Sequence, residues 1–404
     1  MPSHSSSADS GTSGDGTRPL VIGIDASFLA RDRRGMGRFL RNVLDQWEGK
    51  THHRLILLCQ HRRHLVGLED YQKRGWEVAL APHSPALDVC WFPWNRVDWE
   101  TKCPRVVFIH DVAPFTPYHP DRHREEDQQR LFEAAERADL VMTNSNFSRI
   151  ELHRYLGCSL EDIEVVYLAH DEAMFSPLPG GLPTPSLPGE LSWMGYLLYI
   201  GNLEPRKNLR GLLEAMVLAR KDVHLPLALV SPKPSLHWTE KLRGRQDCLV
   251  SLAESLEDRL IWLDPPDDKE LVNLYRGARL FVMPSFYEGF GFPLLEAMAC
   301  GTPCISAKAA SLPEVGGPIP IWFNPKDPVD IARALMEGLR RAPTEWAEPA
   351  VVREQLENFS WRRSAEHILE CLVSTALRPP RRAVESSFDL LAAVGEDERE
   401  AYLG

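Results

Sequence analysis

The sequence lacks any run of about 18 apolar residues, so no segment of it is long enough to span a bilayer as a helix. Positive charge is not in excess, because 46 Lys and Arg stand against 57 Asp and Glu, for a net charge of −11 at pH 7. A general nucleic-acid binder gains most of its affinity from neutralised phosphates, so we expect no nucleic-acid partner. The eight cysteines are scattered, and the closest pair, Cys300 and Cys304, lacks zinc-knuckle spacing. We therefore expect no metal centre and a reducing, cytoplasmic location.

The N-terminal segment lacks the apolar core of a secretory signal, and we expect residues 1–18 to form a disordered leader. What the chain does have is the composition of a globular protein, with 44% hydrophobic and 25% charged residues. A length of 404 residues allows two domains of ordinary size.

Short aliphatic runs alternate with helical stretches in two sets, and several runs are apolar on both faces, as in parallel sheets covered by helices. The predicted strands of the first set are Leu20–Asp25, Arg54–Cys59, Glu77–Leu80, Asp88–Phe92, Arg105–His110, Asp139–Asn144 and Ile163–Leu168. Those of the second set are Tyr196–Gly201, Leu225–Val230, Arg259–Leu263, Arg279–Pro284 and Pro303–Ser306. This alternation predicts two Rossmann-like α/β domains that face each other across a cleft.

The boundary between the two sets is the segment Ser176–Glu190, which holds five prolines and three glycines and cannot form a core element. We predict an N-terminal domain over residues 19–175, a linker over 176–195 and a C-terminal domain over 196–360. A helix over 361–376 and a tail over 377–404 follow, and we expect the tail to be disordered or to act as a docking segment.

A basic turn follows the first strand of the second set, in "LLYIGNLEPRKNLRGLLEAM". Arg206 and Lys207 lie at the carboxyl end of that strand, where open α/β sheets bind ligands. A guanidinium and an ammonium beside a helix start suit a diphosphate, and the competing interpretation is a solvated basic turn.

Two carboxylates, Glu288 and Glu296, are separated by seven residues in "FYEGFGFPLLEAMACGTP". We predict that Pro293 is the first residue of a helix, that Glu296 lies in its first turn, and that the amides around Phe292–Leu295 form an anion site. The carboxylates are too far apart along the chain to form one acid–base pair, so each is predicted to accept from a separate hydroxyl group. The alternative for Glu296 is that it only complements the helix dipole.

Together, "EGFGFPLLEAMACGTP", "GNLEPRKNL" and "LPEV" resemble the retaining glycosyltransferases of family four, the glycosyl transferases group 1 with the two-domain "B" fold (GT-B). The resemblance extends over residues 22–372 and implies a nucleotide-sugar donor, a closing motion and no obligatory metal or other cofactor. It implies that Arg206 and Lys207 bind the diphosphate and that Glu296 binds the ribose. It assigns Glu288 to the donor sugar.

The same resemblance implies further donor contacts from Phe290, Gly291, Leu294 and Leu295. In the first half, "ARDRRGMGRFLR" resembles the family's glycine loop and places Gly35 and Gly37 beside the donor phosphates. His110 ends a predicted strand and would lie near the reacting centre, although a lone histidine is more often structural, and we do not assign it as a general base.

Two segments depart from the family's pattern, "SPKPSLHW" near the nucleobase and "VVYLAHD" at the interdomain edge. In contrast, "ENFSWRRSAEHIL" matches the family's last helix, which crosses back to the N-terminal domain. The resemblance implies transfer of a hexosyl group, with mannose from GDP-mannose as the expected donor. The acceptor is expected to be a saccharide or a lipid-linked molecule, in polysaccharide or glycolipid synthesis. A sugar phosphorylase and a catalytically inactive scaffold remain as alternatives.

Five arginines cluster in the glycine loop and the helix after it. They are Arg31, Arg33, Arg34, Arg38 and Arg41. Such a cluster is usually a solvated face. The functional interpretation is that some of these arginines face an anionic acceptor or the inner face of an anionic membrane.

Overall fold

The computed structural model describes residues 18–32, 35–119, 124–180, 183–231, 247–342 and 345–378. Several sequence predictions concern residues outside these ranges. They are the leader, the tail beyond residue 378, Arg33, Arg34 and most of the "SPKPSLHW" segment. No helix among the described residues is both long and apolar enough to cross a membrane.

The first half folds into one parallel sheet of seven strands, in the order β3-β2-β1-β4-β5-β6-β7. The strands are β1 (Val21–Asp25), β2 (Arg54–Cys59), β3 (Glu77–Leu80), β4 (Val89–Phe92), β5 (Arg105–Phe108), β6 (Leu140–Thr143) and β7 (Ile163–Val165). All seven strand predictions for this half are confirmed. The observed strands end one to three residues earlier where the apolar run continues into a loop, as at His110.

The second half forms a parallel sheet in the order β10-β9-β8-β11-β12-β13. Its strands are β8 (Leu197–Ile200), β9 (Leu227–Val230), β10 (Leu260–Leu263), β11 (Leu280–Met283), β12 (Cys304–Ala307) and β13 (Ile321–Phe323). The five predicted strands are confirmed, and the sequence analysis missed β13. That strand has three residues and follows a proline–glycine turn, so its apolar pattern is too short to identify.

Helices connect the strands of both sheets. They are α1 (Gly35–Trp47), α2 (Glu69–Lys73), α3 (Arg124–Glu136), α4 (Asn146–Leu156), α5 (Leu209–Leu218), α6 (Asp247–Ser255), α7 (Asp268–Gly277), α8 (Phe292–Ala299), α9 (Leu312–Gly316), α10 (Pro328–Arg340), α11 (Pro349–Leu356) and α12 (Trp361–Leu377). Buried aliphatic and aromatic side chains fill the space between helices and sheets. Two parallel-sheet α/β units therefore make up the part of the chain that the structure describes, as predicted.

The final helix, α12, packs on α1, β4 and β5 of the first half, although it follows the second sheet in the chain. The indole of Trp47 donates a hydrogen bond of 2.9 Å to the carbonyl oxygen of Ala365 on α12. The described residues between Ser176 and Gly195 form neither helix nor strand, and Arg276 anchors Ser176 through a hydrogen bond of 2.7 Å to its carbonyl oxygen. The two halves are thus tied by the linker and by α12.

The strand orders locate the place where a ligand would bind. In each sheet the chain reverses direction across the sheet between two neighbouring strands, β1 and β4 in the first and β8 and β11 in the second. Open α/β sheets bind ligands at such switch points, at the carboxyl ends of the strands. The segments after β8 and β11 carry the basic turn and Glu288, so the fold brings these two sequence motifs together.

Candidate active site

The basic turn after β8 is held rigidly at the switch point. Residues Pro205–Lys207 form one turn of 3₁₀-helix, and Asn208 follows in a left-handed conformation with φ of 51°. The Asn208 side chain caps α5 by accepting from the amide of Gly211 at 3.1 Å and donates to the carbonyl oxygen of Pro284 at 3.0 Å. Since Pro284 directly follows β11, this side chain fixes the basic turn against the segment that carries Glu288.

Glu288 is buried and surrounded by donors from this turn. Lys207 Nζ lies 2.7 and 2.9 Å from its two carboxylate oxygens, and Arg206 Nη1 lies 3.0 Å from Oε2. The hydroxyl group of Ser285 donates a further hydrogen bond of 2.7 Å. Burial alone would raise the pKa of Glu288, but Lys207 and Arg206 outweigh it and hold the pKa below its usual value. Glu288 is therefore an anion with its acceptor sites largely filled.

A second carboxylate, Glu204, contacts Arg206 from the same loop. Its Oε2 atom lies 2.5 Å from Arg206 Nε. Burial lowers the pKa of Arg206, yet Glu288 and Glu204 together raise it above its ordinary value, so the guanidinium is charged. The sequence analysis did not single out Glu204 or Ser285, although both stand within three residues of a predicted site residue.

Glu296 occupies a different environment, on α8. This helix begins at Phe292, so Pro293 is its second residue and Glu296 its fifth. The prediction that Pro293 starts the helix and that Glu296 lies in the first turn was therefore wrong. The reason is that Gly291, with φ of 107°, provides the N-cap one residue earlier than expected. This position weakens the helix-dipole interpretation of Glu296, because that effect falls off within the first turn.

The carboxylate of Glu296 is 2% exposed and contacts one residue from each half of the chain. Tyr275 donates a hydrogen bond of 2.9 Å to Oε2, and Arg38 Nη1 lies 2.8 Å from Oε1. Burial raises the pKa of Glu296, and the partial compensation by Arg38 and Tyr275 does not reverse the shift. The sequence analysis placed Arg38 in a basic cluster and did not connect it with Glu296.

The amides at the start of α8 are less available than predicted. The N–H groups of Leu294 and Leu295 both point to the carbonyl oxygen of Gly291, at 3.1 and 3.4 Å. The side chains of Leu294 and Leu295 are fully buried, and Phe290 packs edge-on against Phe292. The side chains of three predicted donor contacts, Phe290, Leu294 and Leu295, thus lie in the core. That these residues contact the donor stays a prediction.

The glycine loop approaches the start of α8 from the first half. A Cβ atom at Gly35 would lie 3.8 Å from the ring of Phe292. A side chain at Gly37 would collide with the carbonyl oxygen of Asp32, so the tight turn into α1 requires glycine there. Gly35 therefore lies beside Phe292, the first residue of α8. Gly35 and Gly37 are the first and third residues of α1, so the prediction that they lie in a loop was wrong.

His110 lies beside the Glu288 segment, but its ring is buried. Its Nε2 atom is 3.0 Å from the carbonyl oxygen of Pro93, which can only accept, so Nε2 carries the proton. Burial lowers the pKa of His110 to about 4, so the imidazole is neutral near pH 7. The backbone of His110 touches the second half, because a side chain at Gly289 would collide with the His110 carbonyl oxygen.

Further contacts close the two halves around the Glu288 segment. The ring of Phe286 stacks on Tyr118 with centroids 4.6 Å apart, and the hydroxyl group of Ser145 donates to the Gly289 carbonyl oxygen at 2.7 Å. Glu314, from the "LPEV" motif, accepts from the amide of Asn146 at 2.9 Å, at the first turn of α4. The motif therefore acts as a contact between the halves.

A cavity of about 380 Å³ opens between the halves next to the basic turn. Its walls include Trp94, Arg96, Asp111 and His119 from the first half and Glu204 and Arg206 from the second. Elsewhere, among the residues that the structure describes, one group of three could hold a metal ion, formed by Glu164, His367 and Cys371. None of these three belongs to the basic turn, the Glu288 segment or α8.

Two Rossmann-like domains, with charged side chains at the switch point of the second and a cleft between them, define the GT-B architecture. Solved structures agree with this fold. The Anabaena protein Alr3699/HepE, solved in complex with UDP and glucose, aligns with a TM-score of 0.63 and 18% identity, over 88% of this chain and 100% of that one.

Sequence comparisons give the family. The model of glycosyl transferases group 1 matches residues 194–345. O-antigen chain mannosyltransferase B of Escherichia coli is 35% identical over 263 residues, which is 63% of this chain and 66% of the relative. The serotype-specific mannosyltransferase WbdA of Escherichia coli is 29% identical over 71% of this chain, an alignment that spans 35% of WbdA. The chain belongs to the glycosyl transferases group 1.

Proposed function

We propose that the protein is a retaining hexosyltransferase that moves a sugar from a nucleotide-sugar donor to an acceptor hydroxyl. The observation that carries the proposal is the cluster of Arg206, Lys207 and Glu288 at the switch point of the second sheet, with Glu296 on the adjacent helix α8. A nucleotide sugar offers two negative phosphates, a ribose and a hexose, and the cluster holds two cations and two carboxylates.

Arg206 and Lys207 are the groups that would stabilise the leaving diphosphate. Negative charge grows on that group as the glycosidic bond breaks, and fixed cations aimed at developing charge are usually the largest catalytic contribution. Both cations already lie beside Glu288, so they stay in place without a bound donor. Glu288 in turn is suited to accept hydrogen bonds from hydroxyl groups of the donor sugar.

Glu288 is poorly suited to act as a covalent nucleophile. Its two oxygens are engaged by Lys207, Arg206 and Ser285, and these donors lower the reactivity of the carboxylate. His110 is neutral and donates through Nε2 to a backbone carbonyl group, so it is not a proton donor to the leaving group. These features support a same-face route with retention of configuration, in which the diphosphate rather than a protein carboxylate guides the acceptor.

The expected donor is GDP-mannose, since mannosyltransferases are among the relatives. The cavity beside Arg206 has the volume for a sugar-sized acceptor, and its walls offer an indole for stacking and several polar groups. We propose a saccharide or lipid-linked acceptor from polysaccharide or glycolipid synthesis. The prediction that no metal or other cofactor is required remains part of the proposal.

A thermal-shift panel of GDP-mannose, GDP-fucose, UDP-glucose, UDP-galactose and ADP-glucose tests the donor. A donor present at 100 times its dissociation constant stabilises the folded protein by about 2.7 kcal/mol, which is readily measured. We expect GDP-mannose to raise the melting temperature most, with and without EDTA. Proton NMR of the transfer product then reports the anomeric configuration, and an inverted product would contradict retention.

A further inference from the structure

Arg38 crosses from the first half of the molecule to Glu296 in the second. It lies in the first turn of α1, three residues after Gly35, and its Nη1 atom is 2.8 Å from Glu296 Oε1. Its guanidinium group also faces the rings of Phe175 and Phe292, at 5.5 and 5.8 Å from their centroids. Aromatic faces attract a guanidinium, so the position of Arg38 is well defined.

Glu296, the carboxylate that Arg38 contacts, is expected to bind ribose, yet it is shielded from solvent. Glu296 is 2% exposed, and Tyr275 from its own half already donates to Oε2. Its Oε1 atom lies close to Arg38 but accepts no well-aligned hydrogen bond. Oε1 is therefore the remaining acceptor, and a ligand hydroxyl can reach it only after the arginine has moved.

We propose that Arg38 occupies the ribose position of the empty enzyme and helps to hold the two halves together until a donor displaces it. The guanidinium group lies 2.8 Å from Oε1, in the space that a ribose hydroxyl group would need in order to donate to the same oxygen. This inference rests on the proposed function, which assigns Glu296 to the ribose. It adds that Arg38 competes with the donor and does not assist it.

The competition has a defined energetic consequence. A ligand that binds only a minor conformation has an apparent dissociation constant equal to the intrinsic value divided by the fraction of that conformation. Minor states are commonly populated at about 10% or less. Removing the contact between Arg38 and Glu296 should therefore strengthen nucleoside diphosphate binding by about tenfold.

The test is calorimetric titration of GDP, and separately of UDP, into the full chain and into Arg38→Met. Methionine keeps a long apolar side chain between Phe175 and Phe292 but carries no charge. The matched control is Arg31→Met, which removes a charge from the same loop at an exposed position. We expect about tenfold tighter binding in Arg38→Met and no change in Arg31→Met. Weaker or unchanged binding in Arg38→Met would overturn the inference, because it would show that the arginine assists the donor or does not compete.

A second measurement does not depend on the ligand. Small-angle X-ray scattering of the empty protein should give a larger radius of gyration for Arg38→Met and Glu296→Gln than for the parent and Arg31→Met. If the parent binds neither GDP nor UDP, the proposed donor fails, and scattering alone decides whether Arg38 holds the halves together. An unchanged radius in both variants would overturn that role.

Discussion

Glu288 and Glu296, the two glutamates of the "EGFGFPLLE" stretch, lie in contrasting environments. Glu288 is held inside one half of the molecule by Lys207, Arg206 and Ser285. Glu296 is held by Tyr275 from its own half and by Arg38 from the other. The pKa of Glu288 is below its ordinary value because two cations outweigh its burial, whereas the pKa of Glu296 is above it because burial outweighs one cation.

This contrast indicates which part of the site is complete in a single domain. The environment of Glu288 is a built-in charge cluster that exists whether or not the halves meet. The environment of Glu296 includes a contribution from the first half, so it changes when the halves separate. The same motif thus supplies one fixed carboxylate and one whose surroundings depend on domain closure.

The largest expected effect comes from breaking the charge cluster at Lys207. Truncating one partner of a buried, hydrogen-bonded charge pair costs about 2–5 kcal/mol. Since about 1.4 kcal/mol corresponds to a factor of ten, Lys207→Ala should lower kcat/KM at least about 30-fold. The control is Lys221→Ala, an exposed lysine in the loop that follows α5. Near-normal kcat/KM in a folded Lys207→Ala protein would refute the assignment.

A smaller effect, on stability, is expected from Tyr275→Phe. This variant changes the environment of Glu296 and leaves that of Glu288 intact. The variant leaves Oε2 of a buried carboxylate without its hydrogen bond, and such a loss costs about 1–3 kcal/mol. We expect a lower melting temperature in the empty protein. The transfer activity should persist, because Tyr275 does not contact the cluster of Arg206, Lys207 and Glu288. A melting temperature equal to that of the parent would show that this hydrogen bond does not support Glu296.

The two carboxylates should also respond to pH with opposite sign. A lowered pKa means that Glu288 contributes stability above its ordinary value of 4.5 and loses it as the pH falls through the folded-state pKa. A raised pKa means that the contribution of Glu296 is present below 4.5 and is lost as the pH rises through the folded-state pKa.

Melting curves of the parent, Glu288→Gln and Glu296→Gln across the acid range measure this difference. The stability advantage of the parent should grow with pH relative to Glu288→Gln and shrink with pH relative to Glu296→Gln. Parallel curves for the two variants would contradict the contrast between their environments.

The smallest effect concerns the remaining arginines of the segment "ARDRRGMGRFLR". Arg38 contacts Glu296, and Arg41 donates to the carbonyl oxygens of Leu29 and Asp32, so neither is a simple solvated charge. Membrane contact by this segment remains a prediction, and it would depend on Arg31, Arg33 and Arg34, each worth about 1 kcal/mol near an anionic leaflet. Changing these three to Ser should reduce cosedimentation with phosphatidylserine vesicles at low salt. Absence of vesicle binding by the parent would favour a solvated face and a soluble acceptor.

The sequence predicted much of the fold because the strands are short, apolar and regularly spaced. It also predicted that Arg206, Lys207 and Glu288 would meet, since parallel strands bring their carboxyl ends to one edge. It did not predict the contact between Arg38 and Glu296, because pairing over such a separation depends on how the two halves pack. The start of α8 was misplaced by one residue because Gly291 caps the helix ahead of Pro293.

The most direct test of the account is calorimetric binding of GDP to Glu288→Gln and Glu296→Ala. A hydrogen bond to a charged group is worth about 1.5–3 kcal/mol, which corresponds to about 10- to 150-fold in affinity. After the expected tenfold gain from release of Arg38, Glu296→Ala should therefore bind GDP up to about 15-fold more weakly than the parent. Glu288→Gln should lose transfer activity yet bind GDP as well as the parent, since Arg206 and Lys207 become freer to contact phosphate. Equal losses of GDP affinity in the two variants would contradict the division of roles between the glutamates.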